Sequence, residues 1–441
     1  MYLPPYVENC ILMLEARGFP AYAVGGCVRD ALLGLTPHDY DLCTAATPGQ
    51  MKEIFSGYPL VLAGEKHGTV GVVTDGGVVE ITTFRREGDY LDNRHPQYVD
   101  FVTDVTEDLA RRDFTVNAMA YSPTRGFADP FGGREDLAAG ILRAVGEPAQ
   151  RFREDSLRIL RGMRFAVRFG LKQEEATARA MEELAPLMDH LARERVMEEL
   201  CKLLPAVRAE DLLHYAPILC QVIPELTPTV GFRQHSAYHA YDVYTHTAHV
   251  VAAVPPVVHL RWAALLHDVG KPETFTLDNQ GNGHFYGHGS KSAEMADGIL
   301  RRLKASNDLR NRVVTLVEQH MTRPEADKKQ LRRRLSRLGE ETLRDLLTLQ
   351  AADTGSKGTG KPEDTAWLEE VRQLLEEIRA EDACLGLKDL AVNGRDLMAL
   401  GLSGRQIGEV LHWLLERVLD EQLPNDRQAL LAAVETQRGT Q

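Results

Sequence analysis

Short β-branched runs, Val70 to Thr74, Val78 to Phe84 and Tyr98 to Val102, alternate with glycine turns and a few helical stretches up to about residue 140. Side chains that repeat every second residue predict strands, and strands mixed with helices predict an α/β or α+β domain. From Pro148 onward apolar residues recur at helical spacing and strand-like alternation almost vanishes, so everything beyond is predicted to be helical. The change of period marks a domain boundary. Inside the helical part, Gln234 to Asp353 is rich in histidine, and Thr354 to Pro362 has the composition of a linker. The tail beyond it begins a separate helical module, and Lys172 to Phe232 is the least informative stretch.

The 441 residues exceed what one hydrophobic core usually serves, so roughly two to four domains are expected. With 44% hydrophobic and 26% charged residues and no low-complexity tract, nothing argues for extensive disorder. The N-terminus has no basic segment followed by an apolar one, and no stretch approaches a membrane span, so a cytoplasmic protein without membrane contact is expected. Six scattered cysteines without a CxxC pair read as thiols, not as a disulfide frame or zinc knot. A net charge of −13 argues against non-specific coating of nucleic acid, but a local basic patch suffices for binding. Two runs qualify: Lys328, Lys329, Arg332, Arg333, Arg334 and Arg337, for which a solvated helix face is the favoured reading, and the series Arg151, Arg153, Arg158, Arg161, Arg164 and Arg168.

Chemistry enters at Val24 to Gly34, which reads as a strand end, a glycine turn at Gly25 and Gly26, and a helix. Such a turn offers backbone N–H groups at a helix N-terminus, where phosphate binds favourably. In His38-Asp39-Tyr40-Asp41-Leu42 two carboxylates stand two apart on a predicted strand and project from one face. They repel unless cations neutralise them, and Mg²⁺ takes a few carboxylates while leaving positions for substrate phosphates. Glu80, on the next convincing strand, is the candidate third ligand.

Together with Arg29-Asp30, the run Arg111-Arg112-Asp113-Phe114-Thr115-Val116-Asn117 and the run Glu154-Asp155-Ser156-Leu157-Arg158 through Arg161, Arg164 and Phe165, these motifs resemble the class II tRNA nucleotidyltransferase and bacterial poly(A) polymerase superfamily. The resemblance implies a polymerase β-like α+β head followed by an all-α neck, body and tail. It gives Gly25, Gly26 and Arg29 to the triphosphate side, Asp39 and Asp41 to catalytic Mg²⁺, and Arg112, Asp113 and Asn117 to the ribose and phosphate, with Asp113 a suitable ribose-hydroxyl acceptor. Arg161 and Arg164 fall in the same nucleotide pocket. Asp155 and Arg158, at i and i+3 on one helix face, would read the Watson–Crick edge of CTP or ATP. The charged stretch Arg85 to Pro96 is similar to the mobile loop that CCA-adding members need to switch from C to A. The implied activity is addition of CCA to tRNA, with A-adding and poly(A) polymerases as alternatives, and the implied state is a monomer or homodimer.

A second constellation lies in Leu265-Leu266-His267-Asp268-Val269-Gly270-Lys271, with His246 upstream and Asp353 downstream. The order His, His-Asp, Asp resembles the HD phosphohydrolases, and imidazole with carboxylate suits Mg²⁺, Mn²⁺ or Ni²⁺. His288 and His320 stand where such proteins place a second metal or phosphate. A phosphohydrolase whose head only binds nucleotide is thus a further alternative. The expected order is a head over 1–140, a neck and body over 141–232, an HD domain over 233–355 and a tRNA-binding tail over 356–441. In that tail Val392 to Leu411 reads as two short helices around a glycine turn, followed by a longer amphipathic helix.

Overall fold

The computed structural model describes residues 1–88, 99–236, 239–359, 366–381 and 383–439. The chain forms two compact units, one from residues 1–207 and 214–224 and the other from residues 208–213 and 225–441. Among the described residues no helix is long and apolar enough to cross a membrane.

The first unit is built on strands β1 (Ala21–Val24), β2 (Asp41–Thr44), β3 (Leu60–Val61), β4 (Thr69–Thr74), β5 (Gly77–Thr83), β8 (Ala120–Ser122) and β9 (Gly126–Ala128). They make one sheet in the order β3-β4-β5-β2-β1-β8-β9. Only the β2/β5 pair is parallel; the other neighbours are antiparallel. The predicted runs at 70–74 and 78–84 are therefore β4 and β5, joined by a tight turn. Along β5 Val79, Ile81 and Thr83 are buried while Glu80 is exposed, the alternation that a pleated strand imposes. Tyr22, Val24, Cys43, Phe84, Leu109 and Ala120 close a core on the sheet. A small ribbon, β6 (Arg85–Glu87) with β7 (Val99–Phe101), stands apart from it. Most of the stretch read as a switching loop, from residue 89 on, lies outside the described residues.

Beyond the sheet this unit turns helical, apart from the two-residue pair β10 (Ile141–Leu142) and β11 (Lys172–Gln173). The segment expected as one helix through Asp155 and Arg158 is two helices, Pro148–Glu154 and Leu157–Phe169. Asp155 between them is extended, and its Oδ1 accepts the backbone N–H of Leu157 at 3.1 Å. A carboxylate that satisfies an orphan N–H of the following helix starts a new helix instead of continuing the old one.

The second unit is helical around the histidine-rich stretch, with helices Val243–Ala253, Val258–Leu266, His288–Arg302, Asn307–Gln319 and Glu340–Gly355 packed together. It is not purely helical, because β12 (Phe275–Leu277) and β13 (Gly283–Phe285) form a hairpin that helical periodicity did not predict. Helix Glu340–Gly355 also runs past the start of the expected linker at Thr354. In the tail, helices Gly394–Ala399, Arg405–Leu419 and Arg427–Gly439 bury Leu397, Leu414 and Leu430. The basic run is engaged within the unit: Lys328 and Arg332 pair with Glu381, and Lys329 and Arg333 with Asp420. All six cysteines are free thiols.

Candidate functional site

In the first unit the carboxylates meet across the sheet. Asp41 opens β2 and is the Cα partner of Glu80 on the parallel neighbour β5, so both side chains leave the same face about 5 Å apart. Asp39 lies just before the strand, not in it as expected, and is close enough to act on Asp41 electrostatically. Desolvation by the surrounding protein, then the negative charges of Asp39 and Glu80, push the Asp41 carboxyl up to about 6, against the pull of Arg112. Three acidic groups crowded this way fit divalent cations of the Mg²⁺ type, which remove the repulsion that raises Asp41.

Next to them is the glycine turn. Gly25 has φ +77°, and a Cβ there would stand 2.8 Å from Nη1 of Arg112, so only glycine lets the guanidinium lie on the turn. Arg112 is oriented by Asp108, a fully buried carboxylate that also pairs with Arg111. Asp108 carries no part of the motif read from sequence, yet its spacing of three and four residues from the two arginines on a helix end was a usable signal.

The remaining pocket residues form one buried network. Arg29 donates to Oδ1 of Asn117 at 2.5 Å and to Asp30, and its guanidinium lies 4.3 Å from the centroid of the Phe169 ring. Asn117 Nδ2 donates to Oδ1 of Asp113 at 3.0 Å, and Arg161 donates to Oδ2 at 2.8 Å. Burial alone would raise Asp113, but the Arg161 guanidinium and the Asn117 amide outweigh it and hold the carboxyl at about 2. Arg164 is fixed by the buried Glu199 at 2.6 Å, a partner with no sequence signal because it lies on another helix.

Asp155 and Arg158 do not pair with each other as their spacing suggested. Asp155 binds Arg195 at 2.7 Å, and Arg158 binds Glu154 at 2.6 Å and donates to the Arg111 carbonyl at 2.9 Å. The cause is the helix break at Asp155, which turns the two side chains toward different neighbours.

The second unit brings its predicted residues together more tightly. His246, His267 and Asp268 form one buried cluster within 4.8 Å, and Asp268, His288 and His320 another, so Asp268 belongs to both. Asp353 Oδ1 lies 2.9 Å from Nε2 of His246. Each imidazole is held from behind by a main-chain carbonyl: Nδ1 of His246, His267, His288 and His320 faces the oxygen of Ser356, Ala264, Phe285 and Val317 at 3.2, 2.8, 2.7 and 2.6 Å. A carbonyl only accepts, so each Nδ1 carries a proton and each Nε2 is turned inward, that of His246 onto Oδ1 of Asp353. Burial lowers His288 and takes His320 down to about 4, whereas at His267 burial is outweighed by the carboxylates of Asp268, 3.2 Å from Nε2, and Asp353, which raise it. Oriented imidazoles turned toward carboxylates are a metal-ligand set.

Two further residues complete this centre. Lys271, buried, reaches Oδ2 of Asp268 at 2.7 Å and Oε1 of Gln234 at 2.8 Å. Its spacing of three from Asp268 across the helix turn was legible. His239, unassigned from sequence, sits edge-on to His246 at 5.6 Å, and burial takes it down to about 4. Gly270 permits the turn to approach the helix His288–Arg302, since a Cβ there would stand 2.7 Å from the Ser292 nitrogen.

The Poly A polymerase head domain family matches residues 21–143, the strands that carry Asp41 and Glu80 together with the Gly25 turn. That match and the carboxylate geometry define the class: the chain is a nucleotidyltransferase. A family described as the probable RNA and SrmB-binding site of polymerase A matches residues 170–229, and tRNA nucleotidyltransferase domain 2 matches residues 288–434. The CCA-adding enzyme of Enterococcus faecalis is 32% identical over 96% of this chain and 94% of its own. That of Streptococcus mutans is 33% identical over 98% and 97%. A crystal structure of the Bacillus stearothermophilus CCA-adding enzyme in complex with CTP covers 100% of both chains at 28% identity and a TM-score of 0.69. The chain belongs to the CCA-adding enzyme family.

Proposed function

We propose that the chain adds C, C and A in turn to the 3′ end of tRNA from CTP and ATP without a template. The observation that carries this reading is the register of Asp41 against Glu80, beside a glycine turn on which the Arg112 guanidinium lies. Asp39, Asp41 and Glu80 would hold divalent cations, Mg²⁺ by their chemistry, which stabilise charge on the α-phosphate as the tRNA hydroxyl displaces pyrophosphate. The turn at Gly25 and Gly26 holds the triphosphate, with the Gly25 N–H itself fixed on the Met119 carbonyl, and Arg112, aimed by Asp108, supplies positive charge there. Asp113 and Asn117 form the ribose side, stiffened by their bonds to each other, to Arg161 and to Arg29 of the triphosphate side, and Arg164, fixed by Glu199, falls in the same pocket. Asp155 and Arg158 read the base edge; Arg195 and Glu154 hold them apart until a base replaces those partners.

Residues 1–140 are assigned to the head, 141–232 to the neck and body, 233–355 to an HD domain and 356–441 to a tRNA-gripping tail, all acting in the cytoplasm. The test is purified protein with tRNA ending at the discriminator base, each labelled nucleotide supplied singly and together. Addition of CC from CTP alone and CCA from both is the expected result. Extension only of tRNA already ending in CC marks an A-adding enzyme, and untargeted A tails mark a poly(A) polymerase.

The second unit supports an additional activity, a metal-dependent phosphomonoesterase or 2′,3′-cyclic phosphodiesterase at His246, His267, Asp268 and Asp353, with His288 and His320 serving a second ion or the phosphate. The supporting observation is the inward Nε2 set fixed by four main-chain carbonyls. A bound Mg²⁺, Mn²⁺ or Ni²⁺ would supply an activated water. Clearing a blocked 3′ end would regenerate the hydroxyl that the head requires. Hydrolysis of p-nitrophenyl phosphate and 2′,3′-cyclic AMP across those ions tests it; no turnover with any ion leaves the unit architectural.

A further inference from the structure

The cleft over the His-Asp centre has an aromatic rim that the phosphate chemistry does not use. A cavity of about 380 Å³ is lined by Asp268, Lys271 and His320 of the centre and also by His284, Phe285 and Tyr286. That volume lies in the range of small-molecule sites, roughly 300–1,000 Å³, and is more than a bare phosphate fills. Tyr286 is 77% exposed, large and apolar, yet it is not loose. Its ring stacks on His284 at 5.3 Å and 6°, and its hydroxyl meets Nδ1 of His284 at 3.4 Å. His284 is in turn fixed by Nε2 donating to Asp278 at 3.0 Å, at the turn of the β12–β13 hairpin. The imidazole therefore backs part of the tyrosine ring in an offset stack, and most of the ring is presented to solvent at the cavity lining. An aromatic ring held in place before binding loses little entropy when a second ring stacks on it.

We infer that Tyr286, backed by His284 and Asp278, is a base-stacking platform that makes the His-Asp cleft select nucleoside phosphoesters over phosphoesters without a base. This rests on the phosphohydrolase reading above. The base stacks on the rim while Lys271 and Arg323, both on the cavity lining, supply positive charge for the phosphate end. Stacking alone is tolerant of base identity, so adenine and cytosine are accepted alike. The shared ligand chemistry, a nucleoside 2′,3′-cyclic phosphate, has two sources: a free nucleotide and the terminus of an RNA chain.

Three substrates separate the possibilities: 2′,3′-cyclic AMP, a short RNA ending in a 2′,3′-cyclic phosphate, and 1-O-methylribose 2′,3′-cyclic phosphate, which has no base. Tyr286→Ala is expected to raise KM for the two base-bearing substrates about tenfold with kcat unchanged, to leave the abasic one unaffected, and Tyr286→Phe to behave as wild type. A stronger effect on the RNA than on the free nucleotide identifies the chain terminus as the source; equal effects identify the nucleotide. Unchanged KM, or equal loss on all three substrates, overturns the platform. If wild type turns over none of them, the hydrolase reading fails by itself. Calorimetry with 3′-AMP then still decides the platform, which requires about tenfold weaker binding to Tyr286→Ala than to wild type and is overturned by equal or absent binding.

Discussion

Asp41 and Glu80 face each other across the one parallel strand pair of the sheet, and burial of Asp41, together with the charges of Asp39 and Glu80 beside it, raises its carboxyl. Asp41 titrates at about 6, above the ordinary value of 3.8. A folded-state value above the unfolded one means that ionising Asp41 costs stability, so without divalent ions the fold loses stability as pH rises from about 4 through 6. Asp41→Asn should therefore match or exceed wild type in metal-free thermal midpoint at pH 8, while nucleotide addition falls roughly a thousandfold or more. Added Mg²⁺ should raise the midpoint of wild type only. Retained addition by Asp41→Asn, or by Asp39→Ala, contradicts the assignment of these carboxylates as ligands.

Asp113 runs the opposite way. Held at about 2 by Arg161 and Asn117, it contributes stability that is complete above about pH 4 and is lost as pH falls through 2. Arg161→Met leaves that buried carboxylate without its guanidinium and should cost roughly 2–4 kcal/mol at neutral pH. Urea denaturation of both proteins between pH 7 and pH 3 measures the difference, which must shrink on the acid side. A gap independent of pH would assign the loss to packing.

Arg158→Ala should damage the choice of C and A far more than triphosphate affinity, because phosphate contacts carry most of the binding and edge hydrogen bonds carry the discrimination. Lysine at the same position keeps the charge but cannot span Glu154 and the Arg111 carbonyl together, so Arg158→Lys should also misincorporate. Competition between labelled CTP, ATP, UTP and GTP reads the outcome, and an unchanged preference rules out base reading by this residue.

In the second unit, Asp268→Ala removes the carboxylate common to both ligand clusters. Expected results are loss of bound metal by elemental analysis, loss of phosphoester hydrolysis with every ion, and CCA addition within about twofold of wild type. Simultaneous loss of CCA addition would show that the two centres are not independent.

Much of this was legible along the chain. The strands at 70–74 and 78–84, the helix after Gly26 and the turn at Gly25 follow from local rules, since alternation, helical spacing and a glycine at positive φ are properties of neighbouring residues. The adjacent His267-Asp268 pair and its approximate partners were readable for the same reason: few residue types serve as ligands, and their order was distinctive. Local rules failed at Asp155, where a side chain that caps the next helix changes the direction of the chain, and at the β12–β13 hairpin, a short strand pair inside a helical composition.

What the sequence by itself determined is the inventory: which carboxylates, glycines, arginines and imidazoles the protein has for phosphate chemistry, and which elements carry them. Only the tertiary structure decided their partners. That Glu80 meets Asp41, that Glu199 fixes Arg164, that Arg195 instead of Arg158 receives Asp155, and that Tyr286 and Asp353 line one cavity all depend on elements far apart in the chain. Backbone preference reaches only a few residues in either direction, whereas these pairings are fixed by packing and by the need of every buried charge for a partner.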